Sequence, residues 1–415
     1  TDINWQDQVF RQGFTQDYGL SISGGNKKTQ FMFSGNFVDQ EGIVISSGYQ
    51  KASANLNLDH SINDYIQIKN NLVASRSQWD GVYTDSWHGG SDGSILQTAL
   101  SMPPYFPKED ESGNLMFYQD FPVYDIERRL FRNPIAIAEG LENNKVYDRF
   151  MDNLSVNLQI KDNLVFKTTA GIDYANVGID LLEGTKYRIY AKDERIRARK
   201  VNRKRINWVN ENTLTYSNTF NEVHDLTLLG GFTQQSETYE TSSLEGLGFP
   251  NDKLETYAMN LAEERFIGSY KQKWDLLSWL GRINYSFDDK YLITASVRAD
   301  GSSKFGKNSK WGVFPSAALA WRVIQEDFMQ QQDFMSNLKF RVSYGVTGNQ
   351  EIGTYRSIRR LGSETVAWNN QMVPAIYLAD LPYEDLTWEE TKQFNVGVDM
   401  GFLKNNRISL EVNYF

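Results

Sequence analysis

Residues Gly301 to Lys307 read G-x-x-x-x-G-K, one position short of a loop whose backbone N–H groups and lysine hold nucleotide phosphates. Asn308 stands where that loop carries a magnesium-binding Ser or Thr, and no helical periodicity follows. Alternating segments flank the stretch on both sides, so it reads as a structured external loop. His60, His88 and His224 are isolated, without a helical His pair and its carboxylate, which argues against zinc. Glu109, Asp110 and Glu111, or Glu389 and Glu390, have the residue types of a glycosidase acid pair. Adjacent acids in polar connections are ordinarily solvated, and no G-x-S-x-G elbow occurs. The chain has no cysteine, which removes disulfides, thiolate metal sites and cysteine nucleophiles together. The expectation is no catalysis, no cofactor and no metal. Residues 186–205 hold ten Lys or Arg against Asp193 and Glu194. Few aromatics accompany them, and the net charge is −9, so nucleic acid is not an expected partner. A solvated strand end near anionic lipopolysaccharide is the expected role. Four aromatics in long polar connections, Trp79, Tyr83, Trp87 and Trp368, can stack on sugar rings or peptide side chains. They are the candidate solute-binding residues, with packing between loops or against a partner as the competing role.

The elements that carry these residues follow from a period of two. Leu338, Phe340, Val342, Tyr344 and Val346 alternate with Lys339, Arg341, Ser343, Gly345 and Thr347. Strand side chains point to opposite faces in turn, so the segment has one apolar and one polar face. The pattern recurs as seven hairpins. Their polar turns lie at Gly24–Lys28, Asn63-Asp64, Lys161–Asn163, Asn218–Asp225, Asp288-Asp289, a longer segment between Trp321 and Leu338, and Lys404–Asn406. Asn, Asp and Gly at these points suit hairpin chemistry. Long polar connections over roughly 76–150, 176–206, 236–273 and 348–391 alternate with the short turns.

The apolar faces need either a protein core or lipid. Apolar residues make up 40%, and mean hydropathy is −0.52. No run of 18 apolar residues exists, which excludes a membrane helix but not a membrane barrel. In 279–297 the apolar face carries Trp279, Ile283, Tyr285, Phe287, Tyr291, Ile293 and Val297, and the charges Arg282, Lys290 and Arg298 fall on the other. Tyr and Phe gather near strand ends, as the two interfaces of a membrane require. Short turns on one side and long loops on the other point the same way. The fold class is therefore all-β, a transmembrane antiparallel up-and-down β-barrel with short periplasmic turns and long extracellular loops. The alternative is a soluble or surface-anchored β-rich module that binds or acts on glycans, which an apolar face capped by a second protein layer would favour.

Several ordered blocks resemble one family. They are Asp2–Asp7 with Gly13–Gln16 and Ser21–Asn26, Asp39–Val44, Arg298–Gly306 continuing through Trp311–Ser316, Ser343–Gln350, and Leu386–Gln393 with Asn395–Gly397. Together they resemble the SusC/RagA-type TonB-dependent transporters of Gram-negative outer membranes. The resemblance implies a barrel of about 22 strands around a plug. About fourteen strands lie in this chain, as a single partial barrel domain over 1–415, with plug, TonB box and terminal strands outside it. Phe415 falls in phase with Ser409, Glu411 and Asn413 rather than with Ile408, Leu410, Val412 and Tyr414, so the last strand is expected to run on. The resemblance further implies import of glycans or peptides. Its partners are a SusD-like surface lipoprotein acting as a lid and the TonB–ExbB–ExbD machinery, in contact with outer-membrane lipid and lipopolysaccharide.

Overall fold

The computed structural model describes residues 2–84, 94–116, 133–188, 194–329, 331–403 and 406–415. The chain runs up and down through β1 (Thr15–Gly25), β2 (Thr29–Glu41), β3 (Gly48–Ser61), β4 (Ile66–Gly81), β5 (Leu141–Lys161) and β6 (Leu164–Glu183). It continues through β7 (Arg197–Phe220), β8 (His224–Leu247), β9 (Glu264–Phe287), β10 (Tyr291–Ser302), β11 (Trp311–Arg322) and β12 (Met335–Asn349). A separate hairpin follows, β13 (Arg360–Trp368) and β14 (Gln371–Asp380), and then β15 (Glu389–Phe402) and β16 (Ile408–Tyr414). Every strand except β13 and β14 joins one antiparallel 14-stranded sheet in chain order, with β15 beside β12. All seven hairpins of the sequence reading are present. Asn221, Asp288 and Asp289 take the left-handed backbone that Asn and Asp tolerate, with φ of 49°, 50° and 54°, and Glu222 follows Asn221 at 62°, as tight hairpin turns require.

One face of the sheet is apolar and uncovered. Ile293 is 42% exposed and Val297 47%, with Trp279, Ile283, Leu319, Phe340 and Phe394 similarly open. Among the described residues no second protein layer caps them, the arrangement expected of a wall in lipid. The opposite face is polar and cross-linked: Ser296 and Ser316 hydroxyls lie 2.7 Å apart, and the Arg341 guanidinium bonds both Asp399 and Glu411. One carboxylate breaks the charge-free rule. Asp152 shares the face of Leu154 and Val156, opposite Leu72 and Ile172, and its Oδ1 accepts from Asn70 Nδ2 at 2.6 Å. A neighbouring amide gives this carboxylate the partner that lipid cannot supply.

The long-loop boundaries of the sequence reading need correction. β4 runs to Gly81, β6 to Glu183 and β8 to Leu247, while β5, β7 and β9 begin at Leu141, Arg197 and Glu264. β7, β8 and β9 each have 24 residues, whereas a tilted membrane span needs about 9–11. The surplus stands outside the bilayer. There both faces meet water, so apolar alternation vanishes although the backbone ladder continues. Cross-strand ion pairs replace it, among them Lys200–Asp180 and Lys271–Glu240, both 2.7 Å.

At the short-turn end, His224, Phe287, Tyr291, Trp321 and Phe340 form a continuous ring row across β8 to β12, with successive centroids 4.9, 6.3, 6.4 and 6.3 Å apart. This is an interfacial aromatic belt. Glu326, just after β11, accepts from Tyr291 Oη at 2.7 Å and Trp321 Nε1 at 2.9 Å. The Tyr291 bond first, then that of Trp321, holds its carboxyl below the usual value of 4.5. A depressed folded-state value stabilises the fold above 4.5 and loses its effect as pH falls through the lowered value. Glu326→Ala is therefore expected to lower the thermal midpoint at neutral pH, with the gap to the parent closing under acid conditions. A gap of equal size at both pH values overturns the assignment.

Candidate functional site

Of the three packed clusters at the long-connection end, two hold the residues that bear on the site. The first joins three short helices, α1 (Trp5–Val9), α2 (Ile95–Ser101) and α3 (Pro134–Gly140). Each begins with a side-chain cap, Asn4, Ser94 or Asn133, accepting from a first-turn N–H. Trp5, Val9, Ile95, Phe106, Ile137 and Tyr187 are buried together there. Trp5 Nε1 donates to the Pro103 carbonyl at 3.0 Å, so the indole is both packed and satisfied.

The second cluster gathers the blocks that the sequence analysis singled out. Phe305 from Gly301–Lys307, Phe314 from Trp311–Ser316, Val346 from Ser343–Gln350 and Trp388 from Leu386–Gln393 pack together with Leu276. The Trp388 ring lies 5.0 Å from Phe305 and 5.3 Å from Phe314, and its Nε1 donates to the Lys310 carbonyl at 3.0 Å. Phe305 is only 2% exposed. Lys304 Nζ sits over the Trp274 ring at 5.1 Å. The near-phosphate loop is thus a hairpin connection between β10 and β11 folded over an aromatic core. Its lysine Lys307 stands at the surface, and a strand, not a helix, follows.

The solute candidates do not form one constellation. Trp79 lies on β4, not in a loop as expected, because that strand runs on beyond the apolar region. Its ring is 5.0 Å from Tyr49, with Lys145 Nζ over it at 5.3 Å. Tyr83 packs against the helical cluster, 6.2 Å from Tyr187. Burial, then the nearby Glu183 charge, pushes its phenol up to about 12. Trp368 is 73% exposed at the tip of the β13–β14 hairpin, beside Asn369 and Asn370 with φ of 50° and 57°. Trp87 lies outside the described residues. What sequence reasoning missed was Trp388 and Phe305 as anchors. The signal was present in the blocks, but their convergence depends on β12 pairing with β15.

The other residues weighed for chemistry make ordinary contacts. His60 bonds Thr29 at 2.8 Å and His224 bonds Tyr285 at 2.8 Å. Asp110 accepts from Ser112 and Asn114 backbone N–H groups within its own turn, and Glu389 accepts from Asn349. Among the described residues, no group of His, Asp and Glu is placed to hold a metal. Most of the described basic side chains in 186–205 have acid partners, including Lys186–Glu139 at 2.6 Å, Arg195–Glu264 at 2.8 Å and Arg197–Glu245 at 2.8 Å. Such pairing leaves little free charge for a polyanion.

A family model described as TonB dependent receptor-like, beta-barrel matches residues 115–415. TonB-dependent receptor P39 of Formosa agariphila is 32% identical over 416 residues, covering all of this chain and 38% of that protein. TonB-dependent receptor SusC of Bacteroides thetaiotaomicron is 28% identical over 435 residues, 98% of this chain and 41% of that one. A solved structure titled as the RagAB peptide transporter superposes with a TM-score of 0.83 at 25% identity, over 100% of this chain and 45% of the other. The chain thus spans about two fifths of the length of these relatives. With the uncovered apolar face and the aromatic belt, these likenesses have one meaning: the chain belongs to the TonB-dependent receptor β-barrel family, SusC/RagA-like, of the outer membrane.

Proposed function

We propose that the protein containing this chain imports a nutrient, an oligosaccharide or a peptide, across the outer membrane by a TonB-dependent mechanism. Residues 1–415 serve as a partial barrel wall, and a plug elsewhere in the protein is pulled by TonB–ExbB–ExbD. The work is binding and gating rather than bond-breaking, in keeping with a receptor family. The observation that carries this reading is the full-length superposition on the RagAB transporter barrel. A SusD-like surface lipoprotein closes over the long-connection end, and the outer apolar face sits in lipid with lipopolysaccharide around it. The β13–β14 hairpin supports a lid contact. Leu361, Leu378, Ile376 and Met372 lie on one of its faces and are all exposed, and an isolated two-stranded hairpin gains stability from being covered.

Uptake of labelled oligosaccharide and peptide mixtures by cells with and without TonB tests the proposal. Uptake lost in both the TonB-deficient strain and a strain lacking this protein is expected, and uptake indifferent to TonB rejects it. Trp368→Ala combined with Ile376→Ser is expected to reduce recovery of the lipoprotein on purification while the barrel still shows heat-modifiable migration. Unchanged recovery removes the hairpin from the lid contact.

A further inference from the structure

Between the 303–310 connection and the base of the β13–β14 hairpin lies an open cleft of about 590 Å³. Both walls are tied to the aromatic core beneath. Phe305 is buried, the Lys310 carbonyl accepts from Trp388, and Ser357 Oγ donates to the Lys304 carbonyl at 3.1 Å. Gly306 lets the walls meet, since a Cβ there would stand 2.0 Å from the Glu384 carbonyl oxygen. The cleft is thus held in shape before any solute arrives.

Three cations line it: Lys307, Lys310 and Arg359. Among the described residues, none of their side chains has an acid partner or a hydrogen bond, whereas Lys186, Arg195, Lys200 and Lys271 at the same end are all paired within 2.8 Å. Glu384 and Asp385 line the same cleft and do not neutralise the three. Their charge limits a guest to few negative groups and disfavours a dense polyanion. No exposed aromatic lines the cleft, so ring stacking does not dominate recognition there.

We propose that this cleft captures a carboxylate of a small anionic solute, with Arg359 offering its planar fork and Lys307 and Lys310 acting as point charges. A uronic acid residue and an acidic peptide supply the same group. The inference rests on the import reading only for the side of the membrane that the cleft faces.

The full protein, purified from outer membranes in detergent, is titrated calorimetrically with tri-galacturonate and tri-glutamate, and with maltotriose and tri-glutamine as uncharged counterparts. At least one anion is expected to bind, more weakly as salt rises, and its uncharged counterpart is not. The tri-galacturonate and tri-glutamate arms separate the two sources. Lys307→Gln with Arg359→Gln is expected to weaken binding about tenfold or more and to flatten the salt dependence. Lys307→Gln alone, at an exposed position, gives a smaller loss if the double variant does not assemble. Equal binding of charged and uncharged probes, no binding of either anion, or variants that bind like the parent each overturn the proposal. Binding in detergent needs neither TonB nor a lid, so TonB-independent uptake beside intact anion binding rejects the import reading and leaves the cleft standing.

Discussion

Val297→Lys is expected to destabilise the barrel by about 2–4 kcal/mol, the cost of a cation facing lipid near mid-depth, and to sharply reduce the heat-resistant folded band on a gel. Val297 lies seven residues into β10, opposite Gly281 on β9 and Pro315 on β11, on the uncovered apolar face. Its neighbour Ser296 points the other way, toward Ser316 at 2.7 Å. Ser296→Lys therefore meets water and polar groups, and is expected to change stability by no more than about 0.5 kcal/mol. The contrast between adjacent positions is the test, because both variants add the same charge to the same strand. Equal tolerance of the two by urea titration of folded protein in vesicles contradicts a lipid-facing surface.

Trp388→Ala has the second large effect. The side chain is buried between Phe305 and Phe314, and its indole N–H satisfies the Lys310 carbonyl. Truncation leaves a cavity among aromatic rings and a carbonyl without its donor, a loss of about 3–5 kcal/mol for comparable core sites. The loss falls on the 303–310 connection and its supports rather than on the hydrogen-bonded ladder below. Limited proteolysis is expected to cleave at Lys304, Lys307 or Lys310 in the variant, while the membrane-embedded strands stay protected. Trp388→Phe keeps most of the packing and is expected to recover most of the resistance. Cleavage rates identical to the parent contradict a structural role for this residue.

The legible part of the fold was the part in contact with lipid. There the two faces of a strand see different solvents, and Leu338–Val346 or Trp279–Val297 declare their period in residue types. The same strands became unreadable where they leave the bilayer, as in Arg197–Arg205, because water wets both sides and neither face need be apolar. The short helices were missed for a related reason. α1 has five residues and α2 and α3 seven each, too few turns to establish a period of 3.6. Asp152 escaped notice because its exemption depends on Asn70, 82 residues earlier in the chain. The aromatic cluster was visible as separate blocks, but only the β12–β15 pairing shows that Phe305, Phe314 and Trp388 are neighbours. Of the four solute candidates, Trp79 and Tyr83 proved to be occupied with protein neighbours, which composition and loop assignment do not reveal.

The chain order of the sheet has a consequence for assembly. From β1 to β12 every strand lies beside its immediate predecessor, so, apart from the long 82–140 connection between β4 and β5, this wall can be laid down one hairpin at a time with short closure distances. The exception is β15, which must find β12 across the intervening stretch 350–388 and the hairpin it contains. That seam carries the largest loop-closure entropy in the latter half of the sheet. Pulse-labelling of nascent barrels should therefore find the β12 edge unprotected longest within that half of the sheet.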